Sequence, residues 1–397
     1  MAKTKETKAL TRGRANFNLI GSVRVTDKTF TLDNRYDSTW TDNSMYLGTD
    51  CGQGNVVFAE MRSGFFPDSD NIIRVFEKDR GADGKSSMME IAWEDRLDES
   101  LLDSIADSSL ITVGVEKDVK GKTVYKKFLT AYDAVQYLSE HLVDGTIVNI
   151  KGNLRYSQFD ENVSVKKEIT SIVLSRVEDE ADFKAVFTQT ILLDEKCIGK
   201  KNAEKNVIPI DTYVVDYVGS PKVDGKKVEV KKNVAFPRCF ELEIAENPEV
   251  TKKILAKFFK VKKKGTLNEI TMTGKLHEGG SVVSISLEDI PEDIRELIEI
   301  GVYTEEEAAA KCATSGSRER RMIIVRPEIL QVGQGEDRKP VVQFEEAKYE
   351  ESDLVFYEQA LIEAGAVSEN EKPPWKEEDS EDVSDEDAEF MALLDDM

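Results

Sequence analysis

One stretch of the sequence, residues 145–159, constrains the fold more than any other. It reads GTIVNIKGNLRYSQF, and Ile150, Leu154 and Tyr156 share one side of the chain if it is extended. This period of two predicts a long β-strand with one apolar face. Gly152 interrupts that face. A glycine inside a strand marks a bulge, a bend or a close backbone approach, as at the corner of a small barrel.

The elements around this strand predict a barrel. Runs typical of strands lie at 123–130 and 162–174, and residues 131–143 carry apolar side chains at helical spacing. The order strand, helix, glycine-containing strand, strand fits the second half of an OB-fold. That fold is a five-stranded barrel with a helix between its third and fourth strands, and it often binds oligonucleotides. A mixed α+β domain of another kind is the alternative for this stretch alone.

A second copy of the pattern favours the barrel. Residues 239–244 are typical of a strand, residues 248–259 of a helix, and NEITMTGKL at 268–276 resembles VNIKGNL at 148–154. In both runs an apolar residue, one spacer and Gly precede one residue and Leu. We therefore predict a mainly β (α+β) protein with tandem OB-fold-like small barrels, helical insertions and a disordered acidic tail.

The run at 126–154, KKFLTAYDAVQYLSEHLVDGTIVNIKGNL, resembles the middle of bacterial and phage single-stranded DNA-binding proteins. In that family an Ala- and Leu-bearing helix follows the third strand, and a V-x-I-x-G-x-L strand follows the helix. The resemblance covers roughly 50 residues, through Leu174, and the first half of each barrel contributes nothing to it. It implies an OB-fold and binding of single-stranded DNA.

Charge is unevenly distributed along the chain. The net charge is −23, but residues 345–397 carry 20 acidic and 3 basic residues, which leaves −6 for the first 344. The last 21 residues hold 11 acids and no base. Such a composition predicts disorder. The acidity therefore belongs to a tail, and the body of the protein is compatible with nucleic-acid binding through local basic clusters.

The sequence carries no enzyme signature. It contains no Walker loop and no GxSxG or HExxH motif. Its four cysteines are widely spaced, and it has only two histidines. We therefore expect no catalysis, no cofactor and no metal. No run approaches 18 apolar residues, and the first 17 residues lack a signal-peptide core, so we expect a cytoplasmic protein without membrane contact, in the host cytoplasm if a phage encodes it.

Composition shifts predict four segments. Residues 1–15 are predicted to be a flexible basic arm, 16–180 a first OB-like domain, 181–332 a second, and 333–397 a linker and the acidic tail. Residues 290–314 are predicted to be a helical insertion in the second domain. Residues 36–54 are predicted to be a long polar loop.

Single-stranded DNA requires cations along its phosphates and flat rings for its bases. The first barrel offers such residues near its predicted strands and in the polar loop, and the second offers lysines on a predicted hairpin. The candidates are Lys126, Lys127, Phe128, Arg155, Tyr156, Phe159, Lys166, Lys167, Trp40, Tyr46, Lys226, Lys227, Lys231 and Lys232. Tyr156 shares the apolar face of its strand, so core packing is an equal alternative for it.

The tail ends in an apolar group among acids. In the resembling family, a disordered acidic C-terminus ends in a short apolar tip that docks partner enzymes. The equivalent candidates here are Phe390, Met391, Leu393, Leu394, Asp395 and Asp396, without the terminal Pro-Phe of that family.

The sequence thus predicts a sequence-independent single-stranded DNA-binding protein, encoded by a phage and acting in DNA replication, recombination and repair. It would coat single strands, self-associate along them and recruit replication and recombination proteins through the tail. Two alternatives remain: an OB-fold scaffold without nucleic acid, and an RNA-binding OB protein.

Overall fold

The structure is a computed structural model. It describes residues 8–36, 39–80, 86–159, 162–177, 179–203, 205–223, 225–282, 294–295, 298, 304, 315–333 and 338–366. The predicted insertion at 290–314 falls outside these residues except at 294–295, 298 and 304, and so does the acidic tail from 367 onward. No helix within the described ranges is long and apolar enough to cross a membrane.

The described residues of the first half of the chain form ten strands and one α-helix. The strands are β1 (Ala15–Arg24), β2 (Phe30–Tyr36), β3 (Trp40–Asp50), β4 (Val56–Phe65), β5 (Ile72–Arg80), β6 (Ser86–Ala92), β7 (Ile111–Lys117), β8 (Thr123–Phe128), β9 (Ile147–Phe159) and β10 (Asn162–Leu174). The helix is α1 (Ala131–His141), and short 3₁₀ turns lie at Trp93–Asp95, Glu99–Ser104 and Asp107–Ser109. The side chain of Thr130 caps α1 by accepting from the backbone N–H of Asp133.

Five of these strands close into a barrel. The hydrogen-bonded order is β1–β3–β4–β10–β9 and back to β1, with β4 and β10 parallel through the pair Glu60 and Glu168. Helix α1 lies in the connection from β4 to β9, between the third and fourth barrel strands, as an OB-fold requires. The sequence placed the third strand at 123–130. That run is β8, which pairs with β7 outside the barrel cycle, so the third barrel strand is β4.

The second half repeats the barrel with further strands around it. Its strands are β11 (Lys184–Leu193), β12 (Val207–Val218), β13 (Lys222–Val223), β14 (Lys226–Lys227), β15 (Lys232–Glu243), β16 (Thr266–Val282), β17 (Ser315–Pro327), β18 (Ile329–Val332), β19 (Lys339–Val342) and β20 (Phe344–Glu350). Its helices are α2 (Pro248–Ile254), which continues into a π-helical turn at Leu255–Phe259, and α3 (Tyr357–Glu363), with 3₁₀ turns at Glu180–Asp182 and Glu351–Asp353.

The second barrel closes in the same order as the first. The cycle is β11–β12–β15–β17–β16 and back to β11, with β15 and β17 parallel and α2 in the connection from β15 to β16. The match in strand order, in the parallel pair and in helix position confirms the mainly β prediction of tandem OB-like barrels.

A shared sheet joins the two barrels. Their first strands, β1 and β11, pair antiparallel with Phe17 directly opposite Phe187. Phe17 also lies opposite Gly152 on β9, and Phe187 lies opposite Gly274 on β16. The repeated glycines of the sequence therefore flank one central pair of phenylalanines, and the barrels are related by an approximate two-fold axis through that pair.

The glycines are required for close approach. A Cβ at Gly152 would lie 2.0 Å from the carbonyl oxygen of Glu168 and 2.6 Å from the Phe17 ring. At Gly274 the nearest atoms would be the oxygen of Ile323, at 2.3 Å, and the Phe187 ring, at 2.4 Å. Neither ring could lie across its sheet if the neighbouring strand carried a side chain there.

Each barrel also extends a strand pair, or arm, onto the other. The arm of β16 and β17 reaches the turn between β3 and β4, where the Asn55 side chain donates to Leu276 O and accepts from Glu278 N, both at 2.8 Å. The Glu278 carboxylate accepts from Phe58 N at 3.2 Å and forms an ion pair with Lys167. Glu278 and Lys167 are both buried, so this carboxylate fills the edge where β4 and β10 separate.

The arm of β9 and β10 makes the reciprocal contact. The buried carboxylate of Asp216, on β12, accepts from Tyr156 N at 2.9 Å and pairs with Arg155 at 3.2 Å and with Arg12 at 2.8 Å. Burial lowers the pKa of Arg12 and the Asp216 charge opposes that shift. The N-terminal segment and β9 are therefore both held to β12 by one buried charge.

Both ends of the described chain lie on the second barrel. The backbone N–H of Lys8 donates to Asp353 at 2.8 Å, and Leu10 is buried in a cluster that includes Tyr349 and Phe356. Residues 8–14 are thus held in place, in contrast to the flexible arm expected from their composition. Strand β20 pairs with β16, so residues assigned to the linker belong structurally to the second barrel.

We predict that Gly152→Ala lowers the free energy of unfolding by about 1–3 kcal/mol, because the new methyl group would overlap a backbone oxygen that cannot rotate away. Gly219→Ala is the matched control, since a Cβ there would approach nothing closer than 3.7 Å. Urea unfolding followed by circular dichroism measures both. Equal midpoints for the two variants would contradict the close-approach role.

Candidate nucleic-acid interface

Two aromatic rings stack on the outer surface of β3 and β4. Tyr46 and Phe58 have ring centroids 5.0 Å apart with planes 23° from parallel, and Tyr46 is 48% exposed. Their neighbours Leu47, Val57 and Ala59 are buried, so alternation directs these two rings outward. Gly48 lies opposite Phe58, and a Cβ there would approach the ring to 3.1 Å. Glycine at this position leaves room for Phe58 to lie over the sheet.

A second pair of rings lies where β3 begins and β4 ends. Trp40 and Phe66 meet edge to face with centroids 4.7 Å apart, and Phe66 is exposed. We call Trp40, Tyr46, Phe58 and Phe66 together the ring face. The sequence placed Trp40 and Tyr46 in a polar loop; both lie in a strand of the barrel.

Polar side chains inside β3 explain why that strand resembled a loop. Asn43 is buried and satisfied, because it accepts from Asp33 N at 2.7 Å and donates to Tyr132 O at 3.0 Å. Asp42 is buried beneath Arg62, whose Nε lies 2.7 Å from its carboxylate. These partners come from other elements and offset most of the cost of burying the two side chains, although Asp42 Oδ1 has no hydrogen-bond partner.

Cations lie beside the ring face on the neighbouring strands. Lys166 of β10 is 3.4 Å from Glu60, which lies directly opposite Tyr46. Arg155 lies opposite Lys166 on β9 and is shared between Asp216 and Glu168. Burial raises the pKa of Glu168, and the Arg155 charge counters that shift. The structure therefore brings Tyr46, Lys166 and Arg155 onto one surface.

Two predicted contacts lie in the interior. Tyr156 is buried in the core, where its hydroxyl donates to Gln189 at 3.1 Å and burial raises its pKa. Lys167 is buried against Glu278. Phe159, by contrast, is 78% exposed at the end of β9, where a ring is available for stacking.

The β8 residues lie away from the ring face. The Lys126 ammonium is 4.2 Å from the centroid of the Tyr137 ring on α1, and Phe128 packs partly against the same ring. Lys127 donates to Asp107 at 2.8 Å, a bond that lowers the pKa of Asp107. The structure does not bring these three residues together with Tyr46.

The second-barrel lysines form no comparable surface. Lys226 and Lys227 are exposed on β14, Lys231 pairs with Glu229 at 2.8 Å, and Lys232 pairs with Glu363 of α3. No exposed ring pair accompanies them among the described residues.

Strand pairing identifies the counterpart of the ring face in the second barrel. Glu60 pairs with Glu168 and Glu241 pairs with Ile323. These two fifth-strand residues are equivalent, because the residue after each lies opposite the glycine of the fourth strand, and Glu60 and Glu241 are therefore equivalent as well. The registers then place Pro209, Cys239 and Glu243 at the positions of Tyr46, Phe58 and Arg62. The second barrel therefore has neither rings nor a cation where the first has both.

Sequence reasoning missed Phe58, Arg62 and Phe66. The run VVFAEMR had the necessary signal, because Phe58 shares its alternating phase with Glu60 and Arg62. An aromatic residue on the charged phase of a strand points to solvent and indicates a contact surface.

Comparisons with known proteins give structural neighbours only. No family model and no curated protein matches the sequence. The wild-type single-stranded DNA binding protein from Thermus aquaticus aligns over 82% of this chain and 98% of its own, at 9% identity and a TM-score of 0.29. A deletion mutant of that protein aligns over 82% and 99%, at 8% identity and a TM-score of 0.28. At such TM-scores the alignments carry no argument about function.

The position of the ring face depends on the buried pair of Glu278 and Lys167. We predict that Glu278→Gln destabilises the protein by about 3–5 kcal/mol, because it leaves the buried Lys167 charge uncompensated. Glu243→Gln is the control, since its pair with Lys275 is half exposed and a surface pair contributes about 0–1 kcal/mol. Urea midpoints of both variants test this, and a Glu278→Gln midpoint equal to wild type would contradict it.

Proposed function

We propose that this chain binds single-stranded DNA with little sequence preference, through the ring face of the first barrel. The observation that carries the proposal is the outward stack of Tyr46 and Phe58 over Gly48. A flat ring accepts any base, and base stacking on an aromatic side chain contributes about 1–3 kcal/mol per base. Strands 2 and 3 are the surface on which OB-folds bind oligonucleotides, and β3 and β4 are those strands here.

The cations beside the rings supply the phosphate contacts. Arg62, Lys166 and Arg155 already form ion pairs with carboxylates. On binding DNA, each cation would exchange its carboxylate partner for a phosphate. The electrostatic contribution to the free energy of DNA binding should therefore be moderate. If three phosphates are neutralised, the slope of log affinity against log salt would be about −2, from about 0.7 per phosphate on single strands.

We further propose that the protein acts in phage DNA replication or recombination, coats single strands, self-associates along them and recruits partner enzymes through its acidic tail. The support is the sequence of residues 377–397, which carries 11 acids, no base and one apolar group. Where anionic residues reach the DNA-binding surface, they compete with phosphate for the same cations.

Fluorescence anisotropy with single-stranded DNA, duplex DNA and RNA tests the binding. We predict that Tyr46→Ala and Phe58→Ala each weaken single-stranded DNA binding by about 5- to 150-fold, which corresponds to 1–3 kcal/mol of lost stacking. Tyr217→Ala is the matched control, a 46% exposed tyrosine on β12 of the second barrel. Wild-type protein that binds none of the three nucleic acids would favour the scaffold alternative, and a preference for RNA would favour the RNA-binding one.

Deleting residues 377–397 tests the tail. We predict a modest rise in single-stranded DNA affinity, largest at low salt, because salt screens the competing acids. Replication and recombination proteins of the host extract, identified by mass spectrometry, should no longer be captured. The double variant Phe390→Ala and Leu394→Ala should lose the partners without the rise in affinity. Aggregation with both assays unchanged would indicate a solubilising tail instead.

A further inference from the structure

The second barrel reaches the ring face through its arm. Glu278 of β16 accepts a hydrogen bond from the backbone of Phe58, one of the two stacked rings, at 3.2 Å. Asn55 holds the same arm by two bonds of 2.8 Å. These contacts fix the arm at the edge of the proposed DNA-binding surface.

Arg320 lies directly across the arm from Glu278. The register of β16 and β17 pairs these two residues, and side chains paired in this way project to the same face with Cβ atoms about 5 Å apart. The face in question is the one turned toward the first barrel, because Glu278 inserts there beside Phe58 and Lys167. Arg320 itself is exposed and makes no ion pair within the described part of the chain.

The charge of Arg320 is therefore not neutralised, unlike that of the first-barrel cations. Arg62 holds Asp42 and Lys166 holds Glu60. A guanidinium without a carboxylate partner binds phosphate without first giving up another anion, and its planar donors fit phosphate oxygens. The neighbours of Arg320 in the basic run SGSRERR are paired, Glu319 with Lys205 and Arg321 with Glu241.

We infer that Arg320 binds the phosphate of the nucleotide whose base stacks on Tyr46 and Phe58, so that the single-stranded DNA site is built from both barrels. This inference rests on the proposed function and assigns one of its contacts to the second barrel. The first barrel alone would supply the stacking surface and lack this unpaired cation.

Salt-dependent anisotropy titrations of the full chain test the inference. Arg320→Ala should weaken single-stranded DNA binding about 3- to 10-fold at low salt and reduce the salt slope by about 0.7, the contribution of one phosphate contact. Arg326→Ala is the matched control, an exposed arginine on the same strand without an ion pair in the described residues. It should leave affinity and slope at wild-type values.

Two more variants separate charge from packing. Arg320→Lys should retain the salt slope, and Arg320→Ala combined with Phe58→Ala should lose less than the sum of the single losses, because both contacts serve one nucleotide. Thermal melting confirms that each variant is folded. Arg320→Ala and Arg326→Ala with equal slopes would overturn the inference and leave the proposed function intact, whereas wild-type protein without single-stranded DNA binding would overturn the proposed function itself.

Discussion

The pairing of β1 with β11 determines the rest of the structure. It places Phe17 against Phe187 at the centre of one sheet that runs through both barrels. Each ring packs against a position of the neighbouring strand that has no side chain, because that position is Gly152 for Phe17 and Gly274 for Phe187. Once the first strands are paired, the long strands β9 and β16 are directed across the seam, and their arms meet the opposite barrel. The buried carboxylates Asp216 and Glu278 then complete the two crossings.

The two barrels share a fold and differ in surface. In the first, the outer side of β3 and β4 carries rings and remains exposed. In the second, the equivalent strands carry Pro209, Cys239 and Glu243, and nearby the ring of Tyr213 is in contact with Phe356 from the C-terminal segment. Burial raises the pKa of Cys239 to about 11, which makes its thiol a poor nucleophile at neutral pH. The same strand arrangement thus carries outward rings in the first barrel and none at the equivalent positions of the second.

The sequence predicted those elements whose pattern is local. Strand β10 and helix α1 follow from periodicity, and the recurrent glycine revealed the second barrel. Strand β3 could not be predicted in this way, because the buried Asp42 and Asn43 find partners on other elements, in Arg62 of β4 and in Tyr132 of α1. For the same reason Lys167 resembled a phosphate contact: its partner Glu278 belongs to the other barrel. Whether these polar residues are buried depends on partners from other elements, and the periodicity of the sequence carries no information about such partners.

The insertion of Glu278 between β4 and β10 bears on how the protein is made. A ribosome synthesises the whole first barrel long before residue 278, so the nascent barrel has an unfilled edge and Lys167 has no counter-ion there. Domains generally fold as they emerge, N-terminal first. Here the first barrel would remain incomplete until the second barrel is synthesised, and its unfilled edge could meanwhile pair with strands of other chains. Translation speed across the second barrel would then set how long that exposure lasts.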